Sequence, residues 1–260
     1  MRKVLKYGFY DLMRSKWSYI YFLFYLMLTF ALLFLSSDIS RAMISLMNII
    51  IILSPLIGTM FGVMYFYNSK EFTQLLLAQP IKRTTIFLGQ YLGLSISLSF
   101  SLFLGMFIPF SVYGLFHSHE IWSFLTLIFA GTMLTFIFSA LSFLIALKND
   151  DKIKGFGLAI LLWLFMAVIY DGLFLLALVM FDEYPLEGFS IVASMLNPID
   201  LARILILLKL DISALMSYTG AVFQKFLGSG TGLFASTAVL LLWALVPVWW
   251  IGWVAKGRDL

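Results

Sequence analysis

Six long apolar stretches constrain the fold of this chain more than any other feature. They cover residues 17–36, 43–67, 86–112, 121–147, 155–180 and 233–254. A helix needs about 20 residues to cross the hydrocarbon core of a bilayer, and every stretch reaches that length. Because a helix satisfies its own backbone groups, the stretches predict helices rather than strands. The sequence therefore predicts an all-α integral membrane protein with six spans in a single transmembrane domain, residues 1–260.

The composition agrees with this prediction. Charged residues make up 12% of the chain, whereas they make up about a quarter of a soluble domain. The chain has no cysteine, which excludes a disulfide framework or a thiolate metal site.

The positions of the basic residues predict the orientation. Thirteen of the 17 Lys and Arg residues lie in residues 1–16, 68–85 and 148–154 and in the C-terminal tail. Basic residues of short loops favour the cytoplasmic side, so we expect both termini inside (N-in/C-in). Membrane lipid is therefore the expected contact of these basic segments, and nucleic acid is not an expected partner.

Two short amphipathic elements are predicted on that side. Residues 1–16 alternate apolar and basic groups, which predicts a helix on the membrane surface; a disordered basic tail is the alternative. The second element, NSKEFTQLLLAQPIKRTT (68–85), separates spans two and three. Asn68 and Glu71 fit a capping box, and Pro80 is expected to end the helix. The residues expected to share its apolar face are Phe72, Leu75, Leu76 and Gln79.

A helix fixed at both ends to spanning helices suits mechanical coupling, because it can transmit the motion of a partner into the membrane. The other interpretation is an interfacial helix that only anchors the fold. Thr84 or Thr85 is expected to cap the third span.

Residues 181–232 are predicted to form a small helical periplasmic segment between spans five and six. Asn197 can cap a helix that starts at Pro198, and Asp200 in its first turn is favoured by the helix dipole. Asp211 can cap a second helix. We expect a helical cap on the outer face, which either docks a partner or only seals the bundle.

The sequence offers two further candidate sites. Asp171 lies within the fifth span, where a carboxylate by default marks a functional position. It could line a cavity, bind a cargo cation, pair across a dimer interface, or be a buried acid bonded to Tyr170 or another hydroxyl. His117 and His119 in an outer loop are weak metal candidates, since neutral imidazoles bind copper or zinc; solvated polar residues are the alternative.

Two segments resemble a known family. The stretch EFTQLLLAQPIKRTTIFLGQYLG (71–93) resembles the segment between spans two and three of ABC-2-type permeases, the membrane subunits of one class of ABC transporter. The stretch LNPIDLARILILLKLDISALMSYTGAVFQKFLGS (196–229) resembles the periplasmic region of NosY-type permeases. Those permeases belong to NosDFY complexes, which serve copper-site maturation of nitrous oxide reductase.

The resemblance implies a homodimer in the bacterial cytoplasmic (inner) membrane that rests on two copies of a separate NosF-like ATPase. It implies that ATP and Mg²⁺ bind to that partner, and that this chain itself binds no cofactor. A periplasmic NosD-like protein, with a copper chaperone acting through it, would contact the outer face. ATP hydrolysis would then drive either export or a conformational change of that partner.

The site residues implied by the resemblance fall into two groups. The ATPase-coupling residues are Glu71, Phe72, Gln74, Leu75, Gln79, Pro80, Lys82 and Arg83. The periplasmic docking residues are Asn197, Pro198, Asp200, Arg203 and Asp211.

Other functions fit the residues less well. The chain has no Walker A motif, HExxH motif, or nucleophile beside a base, so the permease itself is not expected to be an enzyme. An ABC-2 exporter of unrelated small-molecule or lipid cargo remains an alternative. So does a stand-alone secondary transporter, although inverted repeats and several intramembrane charges would be expected there.

Overall fold

The computed structural model describes residues 2–36, 38–118, 120–181, 187–210 and 230–257. All regular secondary structure in these ranges is helical. The helices are α1 (Arg2–Arg14), α2 (Lys16–Ser36), α3 (Ile39–Asn68), α4 (Lys70–Leu77), α5 (Arg83–Val112), α6 (Ile121–Lys148), α7 (Lys152–Leu164), α8 (Tyr170–Met180), α9 (Glu187–Leu196), α10 (Pro198–Lys209) and α11 (Gly230–Val254). A 3₁₀ turn (Leu115–His117) lies between α5 and α6, and a π-helical segment (Phe165–Ile169) joins α7 to α8.

Within the described residues, six helical segments are long and apolar enough to cross a membrane, as predicted, and a bent pair (Gly188–Leu196 and Pro198–Lys209) would be a seventh only if it formed one span. The six are α2, α3, α5, α6, the continuous α7–α8 unit (Lys152–Met180) and α11. The third span begins at Arg83, one turn earlier than predicted, and its N-cap position is Lys82, without a side-chain hydrogen bond. Thr84 and Thr85 therefore lie inside the helix and do not cap it.

Glycines allow the helices of the bundle to approach closely. A Cβ atom on Gly93 of α5 would lie 3.0–3.1 Å from backbone atoms of Leu5, Gly8 and Phe9 in α1. A Cβ on Gly105 would lie 2.8 Å from the Cβ of Tyr25 in α2. Small residues at crossings are typical of membrane helices, which associate through close packing rather than through the hydrophobic effect.

Connectivity brings one set of short elements together at one end of the bundle. This end carries α1, α4, the loop 149–151 and the C-terminal end of α11, and we call it the α1/α4 end. Here the ammonium of Lys148 lies 4.1 Å from the ring centroid of Trp250, a cation–π contact that joins the ends of α6 and α11. Tyr113 after α5, Glu120 before α6 and Phe181 after α8 lie at the opposite end.

The helices α9 and α10 form a sharply bent pair, of which α10 is buried in the bundle, whereas the sequence predicted a surface cap. The angle between them is 115°, and the break falls at Asn197. The amide nitrogen of Asn197 donates to the carbonyl of Met166, which lies midway along the fifth span. The indole of Trp243, midway along α11, donates to the carbonyl of Met195. The tip of the pair therefore lies at mid-depth, about 20 Å from the Met180 end of the fifth span, and the predicted surface position is wrong.

The reason for this placement is the apolar surface of α10. Its buried residues lie on all sides of the helix and include Pro198, Ile199, Asp200, Leu201, Ala202, Ile204, Leu205, Ile206 and Leu207. A helix that is apolar all round is stable only when protein or lipid surrounds it. Here α6, α3, α9 and α11 surround it.

Candidate functional site

The short helix between spans two and three forms the first part of the candidate site. It begins at Lys70 and ends at Leu77, inside the predicted region. Ser69 is the residue before it, without a side-chain cap, while Asn68 is the last residue of α3 and accepts a hydrogen bond from Lys152. The capping box predicted for Asn68 and Glu71 is therefore absent. The helix also ends two residues before Gln79, the end predicted from Pro80.

The predicted coupling residues lie on an exposed surface. Those that are exposed are Glu71, Gln74, Leu75, Gln79, Pro80, Lys82 and Arg83, and Phe72 is partly buried. Leu75, which was predicted to lie on the apolar face, is 68% exposed. Acidic, amide and apolar groups together thus face away from the bundle along α4.

The buried side of α4 is held by a hydrogen-bond chain that the sequence reasoning missed. Thr73 is 2% exposed, and its hydroxyl donates to the carbonyl of Ser69 at 2.7 Å. The amide of the buried Gln90 in α5 donates to the same hydroxyl at 2.7 Å. The sequence signal that could have indicated this chain is Gln90, a polar residue within the apolar run of the third span. This chain fixes α4 to the start of the third span.

A ring contact with α1 also holds α4. Tyr7 of α1 stacks on Phe72, with ring centroids 4.5 Å apart and planes inclined by 23°. Stacked aromatic pairs contribute about 0.5–1.5 kcal/mol beyond their buried area. The helix α1, predicted as an interface helix, is therefore in contact with α4, and it packs along α5 as well.

Tyr67 joins the approach to α4 to the fifth span. Its hydroxyl lies 2.8 Å from the carbonyl oxygen of Asn149 and 3.1 Å from that of Asp151. Asp151 in turn caps α7, the first part of the fifth span, by accepting from the amide of Ile153. A Cβ atom on Gly155 would overlap the Tyr67 hydroxyl, so the two segments are in direct contact. The loop 149–151 thus binds Tyr67, which lies three residues before the start of α4.

A polar cluster at mid-depth forms the second part of the candidate site. Asn197 caps α10 by accepting from the amide of Ile199, and Pro198 is the first helical residue, as predicted. The side-chain amide of Asn197 also donates to Asp200 and to the carbonyl of Met166. Met166 lies in the π-helical segment, where the altered hydrogen-bond register leaves carbonyls for other donors. No sequence signal indicated this segment.

Arg203 links two carboxylates within this cluster. Its guanidinium nitrogen lies 3.0 Å from Asp171 and 3.2 Å from Asp200. Asp171 therefore pairs with a residue of α10. The hydroxyl of Tyr170 binds the carbonyl of Ala193 instead of Asp171. The Asp171 and Arg203 side chains keep 28% and 30% of their surface exposed, so the pair lies at the edge of the cluster.

The docking surface predicted from residues 197–211 needs correction. Asn197, Pro198 and Asp200 are buried, and Arg203 is half-buried in an ion pair. Buried side chains offer no surface to a partner, so these residues serve the interior of the protein, which agrees with the alternative that this segment seals the bundle. Asp211 lies outside the described residues.

The weak metal candidates gain no support. His117 falls in the 3₁₀ turn, and His119 lies outside the described residues. Among the residues that the structure describes, no group of three or more His, Asp or Glu side chains could hold a metal ion.

Comparison with known proteins agrees with the resemblance seen in the two segments. The "Probable ABC transporter permease protein NosY" of Stutzerimonas stutzeri is 27% identical over 219 residues. The match covers 82% of this chain and 72% of that protein. The chain is similar to an ABC transporter permease. No protein-family model matches it. The similarity supports a permease role for a multi-pass membrane protein and association with an ATPase partner.

Proposed function

We propose that this chain is the NosY-like membrane subunit of an ABC transporter in the bacterial cytoplasmic membrane. Its α1/α4 end faces the cytoplasm, and a separate ATPase dimer binds α4 there. ATP and Mg²⁺ bind the ATPase, while the permease transmits the motion. The basic residues concentrated at the α1/α4 end support this orientation.

The observation that carries the proposal is the way α4 is held. Its inner side is fixed to α1 and α5 by the Tyr7–Phe72 stack and the Gln90–Thr73 hydrogen bond. Its outer side exposes Glu71, which leaves a surface for a partner. A force on that surface therefore moves helices rather than a loop, since packed elements shift as units.

A continuous set of contacts leads from α4 to mid-depth. Tyr67 binds the loop 149–151, and that loop begins the fifth span. The fifth span carries Met166 and Asp171, which bind Asn197 and Arg203 of the bent pair. We infer that ATPase closure moves the fifth span against this pair and so changes the face opposite the α1/α4 end.

The assembly proposed here is a homodimer with a NosD-like protein on the opposite end. The fifth span supports the homodimer, because its large apolar side chains are mostly exposed in one copy; Leu161, for example, is 61% exposed. Copper-site maturation of nitrous oxide reductase is the proposed pathway, and the motion drives export or reshapes the partner. These finer assignments rest on the similarity to NosY.

Co-purification with the partner ATPase tests the proposal. Leu75→Asp places a charge on the exposed face of α4 without touching the bundle. We expect this variant to fold as the wild type does and to lose most of the ATPase in a pull-down. Glu71→Lys is expected to weaken the same complex.

Phe116→Asp is the matched control, because Phe116 is 60% exposed at the opposite end of the bundle. It should retain the ATPase. Equal ATPase retention by the Leu75→Asp, Glu71→Lys and wild-type proteins would contradict a coupling role for α4.

A secondary transporter is the second candidate, and one observation favours it. Broken helices whose termini meet polar groups at mid-depth are typical of that class, and the break at Asn197 beside Asp171 has this form. Transport by the purified chain in liposomes, without ATPase or nucleotide, would support this candidate over the first.

A further inference from the structure

A cavity of about 390 Å³ with polar and apolar lining opens at the α1/α4 end, between the α1–α2 corner and the last two turns of α3. Its size lies in the range of small-molecule sites. Its lining includes Asp11, Arg14, Trp17, Phe61, Met64 and Asn68. None of them belongs to the coupling surface or to the mid-depth cluster.

The cavity has one charge of each sign at its rim. Asp11 and Arg14 lie three residues apart on α1, and both are exposed. Neither has an ion-pair partner among the described residues, although residues at this spacing on a helix are neighbours. Two opposite charges that line one cavity without pairing fit a ligand that carries both signs itself.

The polarity of the cavity changes with depth. Asn68 is the last residue of α3, whereas Phe61 and Met64 lie one to two turns further into the span. Trp17 is 54% exposed at the start of α2, where tryptophan is enriched at the level of lipid headgroups. A ligand that fits has a charged part at the rim and an apolar part that continues along α3.

We propose that this cavity binds the headgroup of a zwitterionic phospholipid with a primary ammonium group, the phosphatidylethanolamine class, from the leaflet at the α1/α4 end. The guanidinium of Arg14 binds the phosphate, since its planar donors match phosphate oxygens. The carboxylate of Asp11 accepts from the ammonium. The glycerol and the first acyl carbons lie along Phe61 and Met64.

The same charges select against other headgroups. A phosphatidylglycerol headgroup has no cation for Asp11, so that carboxylate would face a net anion. A choline headgroup has no N–H group to donate to Asp11. The bound lipid would contact both α1 and the end of α3, the two elements that flank α4. The proposal does not depend on which ATPase or cargo the protein uses.

Lipid retention by the purified full-length chain tests the site. We would add phosphatidylethanolamine, phosphatidylcholine or phosphatidylglycerol with identical acyl chains, and measure bound lipid by native mass spectrometry and Tm by thermal melting. We expect phosphatidylethanolamine to be retained about tenfold better than phosphatidylcholine, a difference of about 1.4 kcal/mol. Arg14→Gln should reduce its retention about tenfold.

The Asp11→Asn variant gives a result that a purely structural role of Asp11 would not produce. Removal of the carboxylate should reverse the preference, so that phosphatidylglycerol is retained at least as well as phosphatidylethanolamine. Lys16→Gln is the matched control, because Lys16 is an exposed neighbouring cation that does not line the cavity. It should leave the preference unchanged.

Three results would overturn the proposal. One is equal retention of the three lipids by the wild-type protein, which decides the matter even if a variant fails to fold. Another is a loss in Lys16→Gln as large as that in Arg14→Gln. The third is displacement of the lipid by inorganic phosphate with the same rise in Tm, which would assign the site to a free anion.

Discussion

Arg203 holds Asp171 and Asp200 at the same time, in a region that apolar helices surround. An ionised carboxylate there is costly unless a cation compensates it. Arg203 is the ion-pair partner of Asp171, whereas Asp200 pairs with Arg203 and also accepts from Asn197. The two carboxylates therefore depend on Arg203 to different degrees.

We predict that Arg203→Gln lowers stability by about 1–3 kcal/mol, because removal of one partner of a buried pair leaves uncompensated charge. Partial exposure of the pair keeps the cost below that of a fully buried one. Asp171→Asn should cost less, since Arg203 retains Asp200. We also expect Asp171→Asn to impair turnover more than assembly. Thermal melting and transport assays of the purified variants check both expectations.

Arg41→Gln is the control for the arginine change. Arg41 lies 3.8 Å from Asp38, and its side chain is 79% exposed, so its loss should leave Tm nearly unchanged. Arg203→Gln with a wild-type Tm would refute the compensating role of Arg203.

At the scale of elements, the crossing of α1 over α5 determines where α1 lies. The backbone of α1 fills the space in which a side chain on Gly93 would stand. An amphipathic helix on a membrane surface can adopt many positions, and this close contact selects one of them. The Tyr7–Phe72 stack then depends on the same crossing.

Gly93→Ala is predicted to destabilise the protein by about 1–3 kcal/mol, since a methyl group must push α1 away from α5. Limited proteolysis within α1 should become faster. Gly157→Ala is the control, because no atom lies within 4 Å of its added Cβ and alanine favours the helix. A Gly93→Ala protein as resistant as Gly157→Ala would contradict the tight crossing.

The contact of Tyr67 with the loop 149–151 is the second element-scale link. Tyr67→Phe removes the hydroxyl whose single proton lies between the carbonyls of Asn149 and Asp151. A hydrogen bond of this kind contributes about 1 kcal/mol. We predict faster amide hydrogen exchange across residues 149–155. On the function proposed above, ATPase activity should persist while transport per ATP falls.

Tyr113→Phe, a change at the opposite end, serves as the comparison for Tyr67→Phe. Unchanged amide hydrogen exchange across residues 149–155 in the Tyr67→Phe variant would exclude the link itself. Faster exchange with full transport per ATP would leave the link in place and exclude its role in coupling.

At the scale of the whole molecule, the position of the bent pair α9–α10 leads to a prediction about its depth in the membrane. Cysteine labelling tests it simply, because the native chain has no cysteine. Leu196→Cys is at the tip, and Leu210→Cys follows the end of α10. A water-soluble maleimide added to intact cells should label Leu210→Cys but not Leu196→Cys, although Leu196 is 58% exposed on the protein surface. Gly257→Cys should label only after permeabilisation.

Labelling of both leucine positions would place the pair on the surface, where the sequence had suggested it. Labelling of Gly257→Cys in intact cells would instead reverse the proposed orientation. The three positions therefore test depth and direction separately.

Hydropathy and length were enough to predict the six spans. Local sequence patterns were enough to predict the short helix near residues 70–77 and the cap at Asn197. Each depends on local properties: apolar length for the spans, and backbone chemistry for a helix that begins with Asn and Pro. The exposure of Glu71 and Gln74 was expected as well. The amphipathic pattern of α4 did not show that Thr73 is buried while Leu75 is exposed, because burial depends on the contact with α5.

The sequence by itself determined which segments are helical and which can lie in an apolar environment. Only the tertiary structure decided whether that environment is lipid or protein. The apolar residues of α10 suit a membrane surface and a bundle interior equally, since transfer from water favours both. The partner of Asp171 was decided in the same way, because Arg203 is 32 residues away and reaches it only when α10 folds back along the fifth span.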